Sequence, residues 1–185
     1  MFTTMFGLPV DAVPFQGDLI VTESATGNVV RASGPELAER EILATLDGPT
    51  GLAATGEDLF PDLYVSVAGT GEVIQLIDDG ELLPEPVVVA SGSTIPEGLT
   101  LYGADSLYPS IPATDLLVAE GGTQTLEKIE LESGNVTTLA TDLGFSPPTP
   151  AGAFGWFSNV EIDGLGEILV NADQANVIWK ISGTP

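Results

Sequence analysis

Asp18-Leu19-Ile20-Val21, Asp62-Leu63-Tyr64-Val65, Asp115-Leu116-Leu117-Val118 and Glu167-Ile168-Leu169-Val170 state one theme: an acid followed by three large, mostly apolar residues. The theme returns roughly every 50 residues, and a period of that length is a sign of a repeat architecture. A short strand pattern precedes each copy, at 8–13, 50–55, 98–102 and 159–163. A polar turn follows each, then a third strand at 28–31, 72–77, 125–131 and 176–181. A fourth strand follows in three copies, at 41–46, 86–90 and 135–140. The turns Thr26-Gly27-Asn28, Asp78-Asp79-Gly80 and Ser133-Gly134-Asn135 supply the Gly, Asp and Asn that hairpins need. Helical periodicity is absent, apart from room for one turn over 35–40.

Antiparallel units of four strands, repeated, predict an all-β chain built as a β-propeller, with blades at about 7–47, 48–92, 94–143 and 144–185. A β-sandwich is the alternative, but it has no reason to repeat its motif in register. The last blade lacks its outermost strand. Residues 2–6 filling that slot would close a ring of four. Alternatively the chain is the C-terminal part of a six-bladed propeller, which is the favoured expectation because it accounts for the abrupt start and the lack of a leader. An unclosed arc would leave edges exposed and predicts self-association.

Composition narrows the chemistry. Among 185 residues there are 4 Lys plus Arg against 27 Asp plus Glu, a net charge of −23, with no Cys and no His. Disulfides, thiolate chemistry, His-based acid/base catalysis and Cys/His zinc sites are excluded. So strong a negative field repels phosphate, which argues against nucleic acid as a partner. No apolar run approaches the roughly 20 residues of a membrane-spanning helix, so membrane insertion is not expected. The 43% apolar content supports a core, and the acidic surface suits a salty, extracellular or periplasmic setting.

Blade topology fixes which residues gather. The first residue of each innermost strand and the last of each second strand share one rim of the central channel. Aligning the repeats puts Pro9, Thr50, Glu97 and Asn159 at the first position. It puts Glu23, Val67, Glu120 and Ala172 at the second, flanked by Asn171 and Asp173. Glu23, Glu97, Glu120, Asn159 and Asp173 offer hard oxygen ligands for Ca²⁺ or another divalent cation. A water-holding polar channel uses the same residues.

Three features resemble the six-bladed propellers of the gluconolactonase, regucalcin and senescence-marker-protein superfamily and its relatives with NHL repeats. One is the opening Pro49-Thr50-Gly51-Leu52 and Pro96-Glu97-Gly98-Leu99. Another is Leu116-Leu117-Val118-Ala119-Glu120 with its Gly-rich turn. The third is Phe157-Ser158-Asn159-Val160 leading to Asp163-Gly164. The resemblance implies a metal-dependent hydrolase of a lactone or small ester. Glu97, Asn159 and Glu120 would then lie on the cation, which polarises the carbonyl, with Glu97 or Glu120 as the acid handling water. The family's first Glu and one Asn have no counterpart here. A non-catalytic propeller that binds a small molecule or protein on its top face is the alternative.

Other features read as architecture. The Pro- and aromatic-rich segment 144–156 extends over the same face as a lid or a surface loop. The stretch 161–167 reads as a hairpin turn rather than a calcium loop. The inserts 59–61 and 106–114 fall on the opposite face.

Overall fold

The computed structural model describes residues 6–55, 61–103, 114–145, 158–163 and 166–181. They form fifteen strands in four antiparallel sheets. The first blade comprises β1 (Pro9–Phe15), β2 (Asp18–Glu23), β3 (Asn28–Ser33) and β4 (Glu39–Thr45). The second comprises β5 (Pro49–Ala54), β6 (Leu63–Val67), β7 (Glu72–Asp78) and β8 (Glu81–Ser91). The third comprises β9 (Pro96–Tyr102), β10 (Asp115–Glu120), β11 (Thr125–Glu130) and β12 (Val136–Ala140). The fourth holds β13 (Val160–Ile162), β14 (Ile168–Ala172) and β15 (Val177–Ile181). Each sheet follows chain order from inside to outside, and a single 3-10 turn lies at Pro35–Leu37. This is a four-bladed β-propeller arrangement, as the repeat predicts.

The second strand of each blade explains the recurring theme. In the second and third blades it is sandwiched between sheets on both faces, so it reads as a continuous apolar run instead of alternating. In β10, Leu116 and Val118 pack toward the second blade, whereas Leu117 and Ala119 pack toward the fourth. All four are essentially inaccessible to solvent. One apolar cluster fills each of three junctions. Phe15, Ile20 and Val29 meet Leu52, Leu63 and Val65 between the first and second blades. Tyr64 and Val73 meet Leu99 and Ile129 between the second and third. Leu126 and Leu143 meet Phe145 and Val170 between the third and fourth. Among the described residues, no cluster joins the fourth blade to the first.

The innermost strands share a bulge. The pairing shifts between Pro9 and Ala12 in β1, between Pro49 and Leu52 in β5, and opposite Val118 and Glu120 in β9. A bulge places two residues against one and re-aims the side chains. Structural register therefore equates Ala12, Leu52, Leu99 and Val160, each opposite the middle of its second strand. Counting back corrects the sequence alignment. Val10, Thr50, Glu97 and Ser158 share one position, and Asp11, Gly51, Gly98 and Asn159 the next. The prolines of the first three blades hid the offset, because the fourth has Phe157 where they stand.

Residues 2–5, all of 146–157, and most of the two inserts lie outside the described residues, and with them most of the expected closing strand and of the Pro-rich lid. No helix among the described residues is long and apolar enough to cross a membrane.

Candidate functional site

A belt of hydrogen bonds ties the inner strands together at one rim. Thr22 Oγ1 accepts the Asp11 N–H at 3.1 Å within its blade and donates to Thr50 O of the next at 2.6 Å. Ser66, at the same position of the second blade, repeats this. Its Oγ accepts the Gly51 N–H at 2.7 Å and donates to Glu97 O at 2.6 Å. Thr50 adds a bond from its Oγ1 to Pro96 O at 2.8 Å. In the third blade the position is Ala119, which has no hydroxyl. There the Gly98 N–H reaches Ser158 O at 3.0 Å, and the Glu97 carboxylate itself accepts the Ser158 N–H at 2.8 Å. In the fourth blade Asn171 Oδ1 accepts the Asn159 N–H.

Glu97 thus joins the third blade to the fourth through its carboxylate, as Asp11 joins the first to the second, and it is 4% exposed. Burial pushes its proton affinity up. The Ser158 N–H and the nearby Ser158 hydroxyl favour the charged form, but the negative charges of Asp173 and Glu120 oppose them. The balance places its pKa at about 7. Its Oε1 lies against Gly121, where a Cβ would come within 2.4 Å. Only glycine at 121 lets the carboxylate occupy this place.

A cavity of about 210 Å³ opens beside it, lined by Val10, Asp11, Gly51, Glu97, Gly98, Ser158 and Asn159. It joins all four blades at the channel. Asp11 is held by the Leu52 and Ala12 N–H groups, each at 2.8 Å, and burial raises its pKa. Asn159 Oδ1 accepts the Val160 N–H at 2.9 Å.

Of the five residues selected from sequence, Glu97 and Asn159 come together on this cavity. Asp173 lies close enough to act on Glu97 electrostatically. Glu120 is buried and accepts the N–H groups of Thr94 at 3.0 Å, Ile95 at 2.6 Å and Gly122 at 2.9 Å, with the Thr123 hydroxyl at 3.0 Å. Glu23, at the equivalent position, accepts the Gly7 N–H at 2.9 Å and the Thr26 hydroxyl at 2.6 Å, and pairs with Arg40. Burial raises its pKa, but these partners outweigh burial and hold it below the ordinary range. Both carboxylates fasten loops at the rim.

The donor set bears on a cation. No three of Glu23, Glu97, Glu120 and Asp173 bring oxygens within 4.8 Å of one another; among the described residues, Asp62, Asp78 and Asp79 do so. They gather where β6 begins and β7 turns into β8, at the opposite rim, and Asp62 also accepts the Asp79 N–H at 3.0 Å. Among the described residues no cluster of three carboxylates forms at the Glu97 rim, where Glu23 and Glu120 bond their loops.

The described ends of 161–167 are joined as in a hairpin. The Asp163 N–H donates to Glu167 O, and the Glu167 N–H donates to Asp163 Oδ1, both at 3.0 Å. Sequence reasoning missed the belt hydroxyls Thr22 and Ser66 and the cavity residues Asp11 and Ser158.

No family model matches the chain, and no curated protein matches it. Solved structures do. A gluconolactonase from Xanthomonas campestris superposes with a TM-score of 0.61 at 20% identity, over 92% of this chain and 56% of that one. Virginiamycin B lyase from Staphylococcus aureus gives 0.59 at 19% identity, over 97% and 54%. A chain of a nidogen/laminin complex gives 0.60 at 14%, over 94% and 63%. These likenesses show the fold, a β-propeller. The chain spans a little over half the length of these neighbours.

Proposed function

We propose that the chain hydrolyses a lactone or small ester at the channel mouth, with Glu97 as the acid/base group. The observation that carries this is Glu97 itself: a buried carboxyl with a pKa of about 7 on the wall of a cavity of about 210 Å³. An acid/base group is most effective when its pKa lies near the working pH, and perturbed carboxyls in clefts are candidates for that role. In its charged form Glu97 takes a proton from the attacking group, and in its neutral form it returns one to the leaving alkoxide. Asn159 and the glycine-lined wall at Gly51 and Gly98 shape the place where the carbonyl sits. The likeness to a gluconolactonase supports the substrate class through the fold alone. No step is routed through a cation, because among the described residues the cluster of three carboxylates lies at Asp62, Asp78 and Asp79, away from this mouth.

The test is hydrolysis of δ-gluconolactone and p-nitrophenyl acetate by the wild type and Glu97→Gln, each with added CaCl₂ and with EDTA. Turnover that falls at least about 100-fold in Glu97→Gln, with Ca²⁺ making no difference, is the expected result. A second reading, binding of a small molecule without turnover, draws on Glu23 and Glu120 being committed to loops. Saturable binding with no hydrolysis would favour it.

A further inference from the structure

We propose that Ser158 is a nucleophile that takes the acyl group of an ester ligand, with the neighbouring Glu97 carboxylate as its base. The proposal rests on the reading of the shared cavity as the reactive site, and it adds the group that attacks.

Ser158 is 1% exposed, and its Oγ forms no hydrogen bond of good geometry. Buried hydroxyls almost always find a partner, so an unmet one on a cavity wall marks a place for a ligand. Thr50, at the equivalent register, shows the contrast: its hydroxyl engages Ser66 and Pro96. The Ser158 backbone is clamped on both sides, by its N–H to Glu97 Oε2 at 2.8 Å and by its carbonyl to the Gly98 N–H at 3.0 Å. Its hydroxyl is therefore held beside the Glu97 carboxylate, close enough to favour the charged form though not aligned with it. Such pairs commonly tighten only when substrate arrives.

The other cavity residues leave few choices. Ser158 supplies the one hydroxyl among the lining side chains. The Asp11 carboxylate is occupied by two backbone N–H groups. Asn159 gives its Oδ1 to the Val160 N–H, so its Nδ2 amide is the donor left for an oxyanion. The sequence holds no Cys or His to compete for either role.

The chemistry balances without a further reactant. Ser158 Oγ forms a bond to the carbonyl carbon while its proton passes to Glu97, and the carbonyl electron pair moves onto oxygen near Asn159. The pair then returns, the ester C–O bond breaks, and the leaving alkoxide takes the proton from Glu97. A water molecule gives its proton to Glu97 and attacks the acyl carbon. The bond to Ser158 Oγ breaks, Oγ recovers the proton, and the acid departs.

The full chain is incubated with p-nitrophenyl acetate and, separately, with a fluorophosphonate probe, and followed by nitrophenolate release and intact mass. The expected results are an initial burst and one adduct mapped to Ser158. The adduct should be absent in Ser158→Ala, slowed at least about 100-fold in Glu97→Gln, and insensitive to EDTA. Ser158→Cys keeps the test independent of whether the alanine variant folds. It should acylate as a thioester, with a rate rising as Glu97 ionises. Ester turnover that survives in folded Ser158→Ala, or an adduct elsewhere, overturns the nucleophile while leaving hydrolysis at the cavity intact. A folded wild type with neither turnover nor adduct overturns both.

Discussion

The carboxylate of Glu97 in the third blade accepts the backbone N–H of Ser158 in the fourth at 2.8 Å. It stands in for a hydroxyl that the third blade lacks. Thr22 and Ser66 tie their blades to the next through neutral side chains. Ala119 cannot, so this junction is fastened by an ionisable group that also faces the cavity. Structure and chemistry therefore meet in one residue.

That double duty predicts a pH signature. The folded chain holds the Glu97 proton up to about pH 7, whereas the unfolded chain releases it near 4.5. Between those values the folded state binds the extra proton, so this group's contribution to stability falls as pH rises, and the loss is complete above about 7. The full difference is about 3 kcal/mol, reduced by the weaker bond that a neutral amide gives Ser158. Glu97→Gln should therefore be more stable than the wild type at about pH 8 and similar to it near pH 4 to 5. Urea melts at the two pH values check this, and a variant less stable at both contradicts it.

Glu120 should behave differently. Its removal orphans three backbone N–H groups at a buried rim and takes one of two partners from the Thr123 hydroxyl. Glu120→Ala should cost about 3 kcal/mol or more while leaving the esterase rate of the remaining folded protein within a few-fold of wild type. Denaturant melts beside active-site-normalised rates separate the two. A stable variant with abolished turnover would return Glu120 to the reaction.

Calcium offers a third check. Any rise in Tm with CaCl₂ should vanish in Asp78→Asn and survive Glu97→Gln, because the converging carboxylates lie at Asp62, Asp78 and Asp79. The opposite pattern in thermal scans would place the ion at the channel mouth.

The fourth blade predicts self-association. The outer strands of the first two blades are blunted, β4 by Glu39, Arg40 and Glu41, and β8 by Pro84, Pro86 and its acids. The strand β15 carries no acid and no proline, and Val177, Ile178 and Trp179 are 41%, 72% and 43% exposed. Among the described residues Lys180 is the one charge on this strand, and an edge so lightly charged pairs with other strands. Sedimentation velocity should show concentration-dependent dimers that Ile178→Lys suppresses. A strict monomer at every concentration contradicts this.

How far the sequence spoke follows from burial. The second strands of the middle blades were the most legible because both their faces are packed, so Leu116 to Ala119 read as an unbroken apolar run. That run, repeated, carries the propeller. The rim was legible only in part. The bulge after each opening proline shifted Asn159 by one position, so Ser158 and Asp11 stayed hidden. Glu23 and Glu120 looked like ligands because an acid on a channel rim reads that way. Their shared spacing to Thr26 and Thr123, which both donate to them, marked them as loop fasteners instead. Thr22 and Ser66 were silent, because a hydroxyl in a strand is ordinary β composition until its partners are seen.

The central claim is that one buried carboxyl works near neutral pH. The direct measurement is the titration of the Glu97 side-chain carboxyl by ¹³C NMR, assigned by its loss in Glu97→Gln. A midpoint near 7 is the expected result. A midpoint at or below the ordinary glutamate value of 4.5 would contradict the account.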